Sequence, residues 1–158
     1  MVGAKKTGAA VAILENHTRG TESHVRGLAR MVQVSPMLTI VDLAVQGLSP
    51  GVYYASVRAA GDISCGAAST GGIWEGSNAG QPRGDFGTID VGNSGAASLL
   101  LEIPVEVWEI IGRSIVVSKN QDGCFVQDEP DTVVGVVARS AGIWENEKTV
   151  RPDVCSRK

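Results

Sequence analysis

The sequence predicts an all-β protein, a Greek-key barrel or sandwich of about eight short strands. Three observations carry this. The 158 residues include 20 glycines and only 4% aromatics, a composition suited to many tight turns. Runs rich in Val, Ile and Ala alternate apolar and polar residues, the pattern of a strand with one wet face. Turn signals separate these runs every ten residues or so, with Ser35-Pro36, Ser49-Pro50-Gly51 and Pro104 as the sharpest breaks. A chain of this length forms one domain with a real core. Its expected organisation is a flexible lead-in over 1–8, the barrel over 9–148 and a flexible tail over 149–158.

Taken in order, residues 9–15 form the first strand and 16–23 a polar loop. The alternation in His24-Val25-Arg26-Gly27-Leu28-Ala29-Arg30-Met31-Val32 predicts a second strand, which Ser35-Pro36 ends. Residues 38–48 alternate in the same way. After the Ser49-Pro50-Gly51 turn, Val52-Tyr53-Tyr54-Ala55-Ser56-Val57 is β-branched and aromatic, a strand composition. A glycine-rich loop then runs through Gly61-Asp62 and Gly71-Gly72 to Trp74, and 76–82 is also loop. Residues 97–103 form a strand that Pro104 terminates. The runs 110–118 and 132–140 supply the remaining strands.

Composition excludes several functions. A net charge of −3 and a pI near 5.4 give no basic footprint for nucleic acid. The apolar run 9–14 is too short for a membrane span or a signal-peptide core. Three scattered cysteines, Cys65, Cys124 and Cys155, have neither zinc-knuckle nor CxxC spacing, and they point to a reducing, cytoplasmic setting. No glycine loop has the strand–GxxxxGK–helix setting of a phosphate cradle. The chain's two histidines, His17 and His24, stand across a predicted loop and read as solvated surface residues.

The central stretch GVYYASVRAAGDISCGAASTGGIW resembles the copper,zinc superoxide dismutases, in which H-x-H-x-x-G-D precedes C-x-x-x-G-x-H. Arg83-Gly84-Asp85-Phe86-Gly87 resembles that family's G-D-L-G-N, and IIGRSIVVS its I-x-G-R-T-x-V-V-H. The resemblance implies an eight-stranded Greek-key barrel. Aligned on Gly61-Asp62, the copper histidines fall on Ser56, Arg58 and Ser118, the bridging histidine on Ile73 and a zinc histidine on Pro82. The zinc aspartate falls on Asp85 and a second-shell aspartate on Asp122. The disulfide cysteines fall on Ala67 and Val134, and Asp131 stands nearest the substrate-guiding arginine. A copper–zinc pair needs imidazole nitrogens, which these positions lack. The expectation is therefore a barrel that binds no metal and no enzyme activity, with Asp85 serving as a turn residue.

VRGLARMVQV, GRSIVVSK and ARSAGIWEN resemble the middle domain of the copper chaperone for superoxide dismutase, in its fungal form. That resemblance implies docking on a cytosolic Cu/Zn superoxide dismutase subunit as a heterodimer, by imitation of its two-fold partner. The implied interface is Gly61, Asp62, Ile111, Gly112, Arg113, Ser114, Val136, Arg139, Gly142 and Trp144. In it Ile111, Val136 and Trp144 are apolar contributors, and Arg113 and Arg139 are anchors. The chain departs from the full chaperone in having no M-x-C-x-x-C and no C-x-C; Cys155 is a single thiol where Cu(I) favours two. Copper(I) is thus implied only through the family's flanking motifs. A divergent dismutase and a metal-free barrel pairing with itself, as a homodimer, are the alternatives.

Overall fold

The computed structural model describes residues 8–16, 24–76, 83–120, 125 and 129–140. Its strands are β1 (Ala9–Asn16), β2 (His24–Ser35), β3 (Leu38–Val45), β4 (Gly51–Arg58), β5 (Ser64–Ala67), β6 (Asp85–Val91), β7 (Ala97–Ile103), β8 (Ser114–Ser118), β9 (Val133–Val136) and β10 (Ala138–Ser140). One antiparallel sheet runs in the order β6-β4-β8-β9-β1-β2-β3-β7, with β10 also on β1. Its ends, β6 and β7, lie against each other across the turn that joins them, giving a nearly closed barrel. This is the predicted all-β architecture.

Strand alternation builds the core. On β4, Tyr53, Ala55 and Val57 point inward with Ile115 and Val117 of β8, Leu14 of β1, Met31 of β2 and Leu43 of β3. The opposite face is closed to solvent on β8 and at Ser56 and Arg58 of β4, while Val52 at the start of β4 is exposed. All five residues of β8 are buried, because Val116 belongs to a second, smaller apolar cluster with Ala67 and Val134, against which Ile63 and Phe125 pack. The barrel therefore has one core inside and one outside, the outer one beneath the loop that contains β5.

Five elements differ from the sequence expectation, one being β6 (Asp85–Val91), a strand where none was assigned. The third strand stops at Val45, where Gly47 takes a positive φ of 74°. β5 interrupts the glycine-rich loop. The strand predicted over 110–118 begins only at Ser114, because 110–113 form a turn that follows a 3-10 turn (Val107–Glu109), in which Glu109 Oε2 accepts from Glu106 N at 2.9 Å. The predicted last strand 132–140 divides at Val137, whose N–H donates to the Arg113 carbonyl and whose carbonyl accepts from Gly112 N–H, both at 2.8 Å. β9 pairs with both β8 and β1, and β10 with β1, so the chain leaves its ladder with β8 where the Gly112 turn is bonded.

Candidate functional site: a rebuilt metal face and a pairing edge

The outward face of β4 and β8 presents Ser56, Arg58 and Ser118, with Ser56 opposite Val116 and Arg58 opposite Ser114 in register. Each is buried, Arg58 to 5% exposure. Arg58 Nε donates to Ser56 Oγ at 2.9 Å, and its guanidinium lies 4.7 Å from the centre of the Phe125 ring. Burial pushes the Arg58 pKa down, and the charge of Asp85 pushes it back up. Arg58 also forms an isolated antiparallel bridge with Ile73. Two positions fifteen residues apart in the sequence are thereby brought side by side.

Ser118 Oγ accepts from Thr132 Oγ1 at 2.9 Å and from Asn120 N at 3.0 Å. Asp85 is exposed and accepts from Gly87 N at 2.9 Å, the turn role expected of it. Among the described residues no group of three His, Cys, Asp or Glu side chains could hold a metal ion. The donors at the family's metal positions are two hydroxyls, a guanidinium, an alkyl chain and a carboxylate, which do not fit copper or zinc. Ala67 and Val134, at the disulfide positions, share the outer apolar cluster instead. Asp131 accepts from Ser49 Oγ at 2.7 Å, with Lys119 Nζ 3.8 Å away, so a carboxylate stands near the expected place of a guiding arginine. Pro82, Asp122 and Cys124 lie outside the described residues.

The second constellation lies along the barrel edge. An ideal Cβ built on Gly61 would sit 2.1 Å from the Gly112 carbonyl oxygen, so two segments of the implied interface press backbone on backbone. Gly112 has a φ of 90°, and a Cβ there would meet nothing within 4 Å. It faces open space. Arg113 donates from Nε to Glu109 O and from Nη1 to Ala59 O, each at 2.9 Å, and its guanidinium lies 4.9 Å from the Trp74 ring centre. It pins the segment before Gly61 to the 3-10 turn. Asp62 is exposed, and hydrogen bonds from Ser64 hold its carboxyl below the ordinary range. Ile111 is half-buried, while Val136 and Arg139 are exposed.

Ser114, also in the implied interface, is buried within the chain, and its hydroxyl donates to the Ala60 carbonyl at 2.7 Å, so it braces the Gly61 segment. Sequence reasoning missed Trp108, which is 64% exposed four residues before Gly112, with its indole N–H on the Glu106 carboxylate. A tryptophan in the stretch 105–109, left without an assigned element, is the signal that could have found it. Gly142, Trp144, Cys155 and His17 lie outside the described residues. His24 begins β2, exposed and remote in register from this edge, and Cys65 is an exposed free thiol.

The profile of the copper/zinc superoxide dismutase family matches residues 25–141. The chain belongs to that family. Among its superoxide dismutase-family relatives, it is 44% identical over 150 residues to the superoxide dismutase 1 copper chaperone of Kluyveromyces lactis, a match covering 92% of this chain and 60% of the relative. It is 40% identical over 158 residues to that of Saccharomyces cerevisiae, covering 92% and 62%. It is 33% identical over 165 residues to the copper chaperone for superoxide dismutase of Rattus norvegicus, covering 92% and 58%. The chain spans about three fifths of the length of these relatives. No helix among the described residues is long and apolar enough to cross a membrane.

Proposed function

We propose that this chain is the target-recognition domain of a superoxide dismutase copper chaperone. It docks on a Cu/Zn superoxide dismutase subunit in the cytoplasm by standing in for that subunit's dimer partner, and it has no dismutase activity of its own. The observation that carries this reading is the pairing of a retained edge with a rebuilt metal face. Gly61 and Gly112 keep their close approach, whereas Ser56, Arg58, Ile73 and Ser118 replace the redox and bridging ligands. The names of the relatives favour the same reading.

A two-fold interface is self-complementary, so a relative that keeps the patch can replace one subunit. Stable pairing needs on the order of 1,600 Å² of buried surface with a few anchors. Gly112 provides the close approach. Ile111, Val136 and the exposed Trp108 provide apolar surface around it, and Arg139 provides an exposed cation at the rim. Gly142 and Trp144, also implied at the interface, and Cys155, the weak Cu(I) candidate, lie outside the described residues. The relatives' names support a role in copper handling, and copper(I) is implied only through the family's flanking motifs. The test is size-exclusion chromatography of the purified chain mixed with a dismutase stripped of metal and reduced. One-to-one co-elution supports docking, and separate elution, or a homodimer that ignores the dismutase, refutes it.

A further inference from the structure

We propose that Arg58 is the barrel's built-in replacement for a metal cation: its guanidinium, held by Ser56 and covered by Phe125, keeps the outer face of β4 folded without metal and closed to copper. The inference does not rest on the docking reading, and each can fail without the other.

The argument begins with the strand. Alternation along β4 sends Tyr53, Ala55 and Val57 to the inner core, so Ser56 is on the outer face and Arg58 on the same one, two residues on. A solvated arginine there would be ordinary, but this one is 5% exposed. Arginine is almost never so buried unless its charge is matched. The matching is visible. Nε is bonded to Ser56 Oγ at 2.9 Å, and the face of the Phe125 ring lies 4.7 Å from the guanidinium carbon, an attraction that strengthens when water is excluded. The Asp85 carboxylate favours the charged form, and arginine keeps its proton in proteins in any case. The backbone is fixed on both sides, by Ser114 across the ladder and by Ile73 across the isolated bridge.

A metal ion brought to this face would meet a fixed positive charge. It would find serine hydroxyls where soft or imidazole donors are wanted. Ser118 is already committed to Thr132 and Asn120. The same charge that organises the stretch thus excludes the ion.

The test combines thermal unfolding with Cu(I) competition on the full chain. Arg58→Met keeps an unbranched side chain as far as the Nε position and removes the charged fork, and Arg58→Lys keeps the charge without the fork. Arg58→Met should lower Tm by roughly 5 °C or more, with Arg58→Lys falling between it and the parent. An unchanged Tm for Arg58→Met overturns the proposal. Should Arg58→Met fail to fold, Arg58→Lys carries the same question: a folded lysine variant supports the charge, and an unfolded one overturns it. Separately, histidines installed by Ser56→His and Ser118→His should take Cu(I) from a competing chelator at least about tenfold better when Arg58→Met is added. Equal capture with and without Arg58 overturns the exclusion.

Discussion

Gly61 and Gly112, fifty-one residues apart, approach so closely that any Cβ on Gly61 would lie 2.1 Å from the Gly112 carbonyl oxygen. The two glycines have different jobs. Gly61 is filled against its own chain, whereas Gly112 takes a positive φ and looks outward. The first should govern folding and the second partner contact.

Gly61→Val should therefore destabilise the barrel, because its side chain meets backbone that cannot rotate away. Overpacking of this kind costs typically 1–3 kcal/mol. Urea unfolding should show a lowered midpoint, and a midpoint equal to the parent's would contradict the close approach.

Ser114→Ala separates bracing from docking. It leaves the Ala60 carbonyl without the 2.7 Å bond from Ser114, a loss of about 1 kcal/mol, or roughly 2–4 °C in Tm for a chain of this size. Affinity for a dismutase, measured below the melting range, should change less than about twofold. A large loss of affinity at unchanged Tm would place Ser114 in the interface.

Added zinc or copper should leave Tm unchanged, since a ligand that binds only the native state stabilises it by mass action. The purified chain should carry no stoichiometric copper or zinc by elemental analysis and should not accelerate superoxide loss. Metal at unit stoichiometry on the face made by Ser56, Arg58 and Ser118 would contradict the reading of that face.

Thiol titration under denaturing, non-reducing conditions should count three free groups, from Cys65, Cys124 and Cys155. Ala67 and Val134 share an apolar cluster where the dismutases place a disulfide. The double substitution Ala67→Cys and Val134→Cys should accordingly form a bridge under mild oxidation, provided the Cα atoms lie within about 7 Å. A count of one in the parent would reveal a substitute bridge.

Much of the fold is legible in the sequence where local chemistry decides it. β7 is readable to the residue because Pro104 cannot continue a ladder, and the β2–β3 hairpin because Ser35-Pro36 breaks the alternation. The alignment on Gly61-Asp62 singles out both Arg58 and Ile73, and the two meet in an isolated bridge. What stayed hidden depends on contacts made at a distance. Nothing near Val137 announces that Gly112 and Arg113 will bond both its backbone groups. Nothing in an isolated serine tells that Ala60 will take the Ser114 hydroxyl. Alternation identifies the two faces of β4 and β8 without showing that a second apolar cluster covers the outer one.

The docking edge is tested most directly by titration calorimetry of the parent, Gly112→Glu, Trp108→Glu and the double His17→Ala, His24→Ala variant against a metal-poor, reduced dismutase, with circular dichroism on each. Gly112→Glu should stay folded, because its Cβ has free space, at a local cost of about 1 kcal/mol for the positive φ. It would bury an unpaired carboxylate at the contact centre, costing several kcal/mol, and about 3 kcal/mol already weakens binding more than a hundredfold. Trp108→Glu should weaken it about tenfold or more. The histidine variant should match the parent, since changes away from a contact stay within about 0.5 kcal/mol. A folded Gly112→Glu that binds as tightly as the parent would contradict the account.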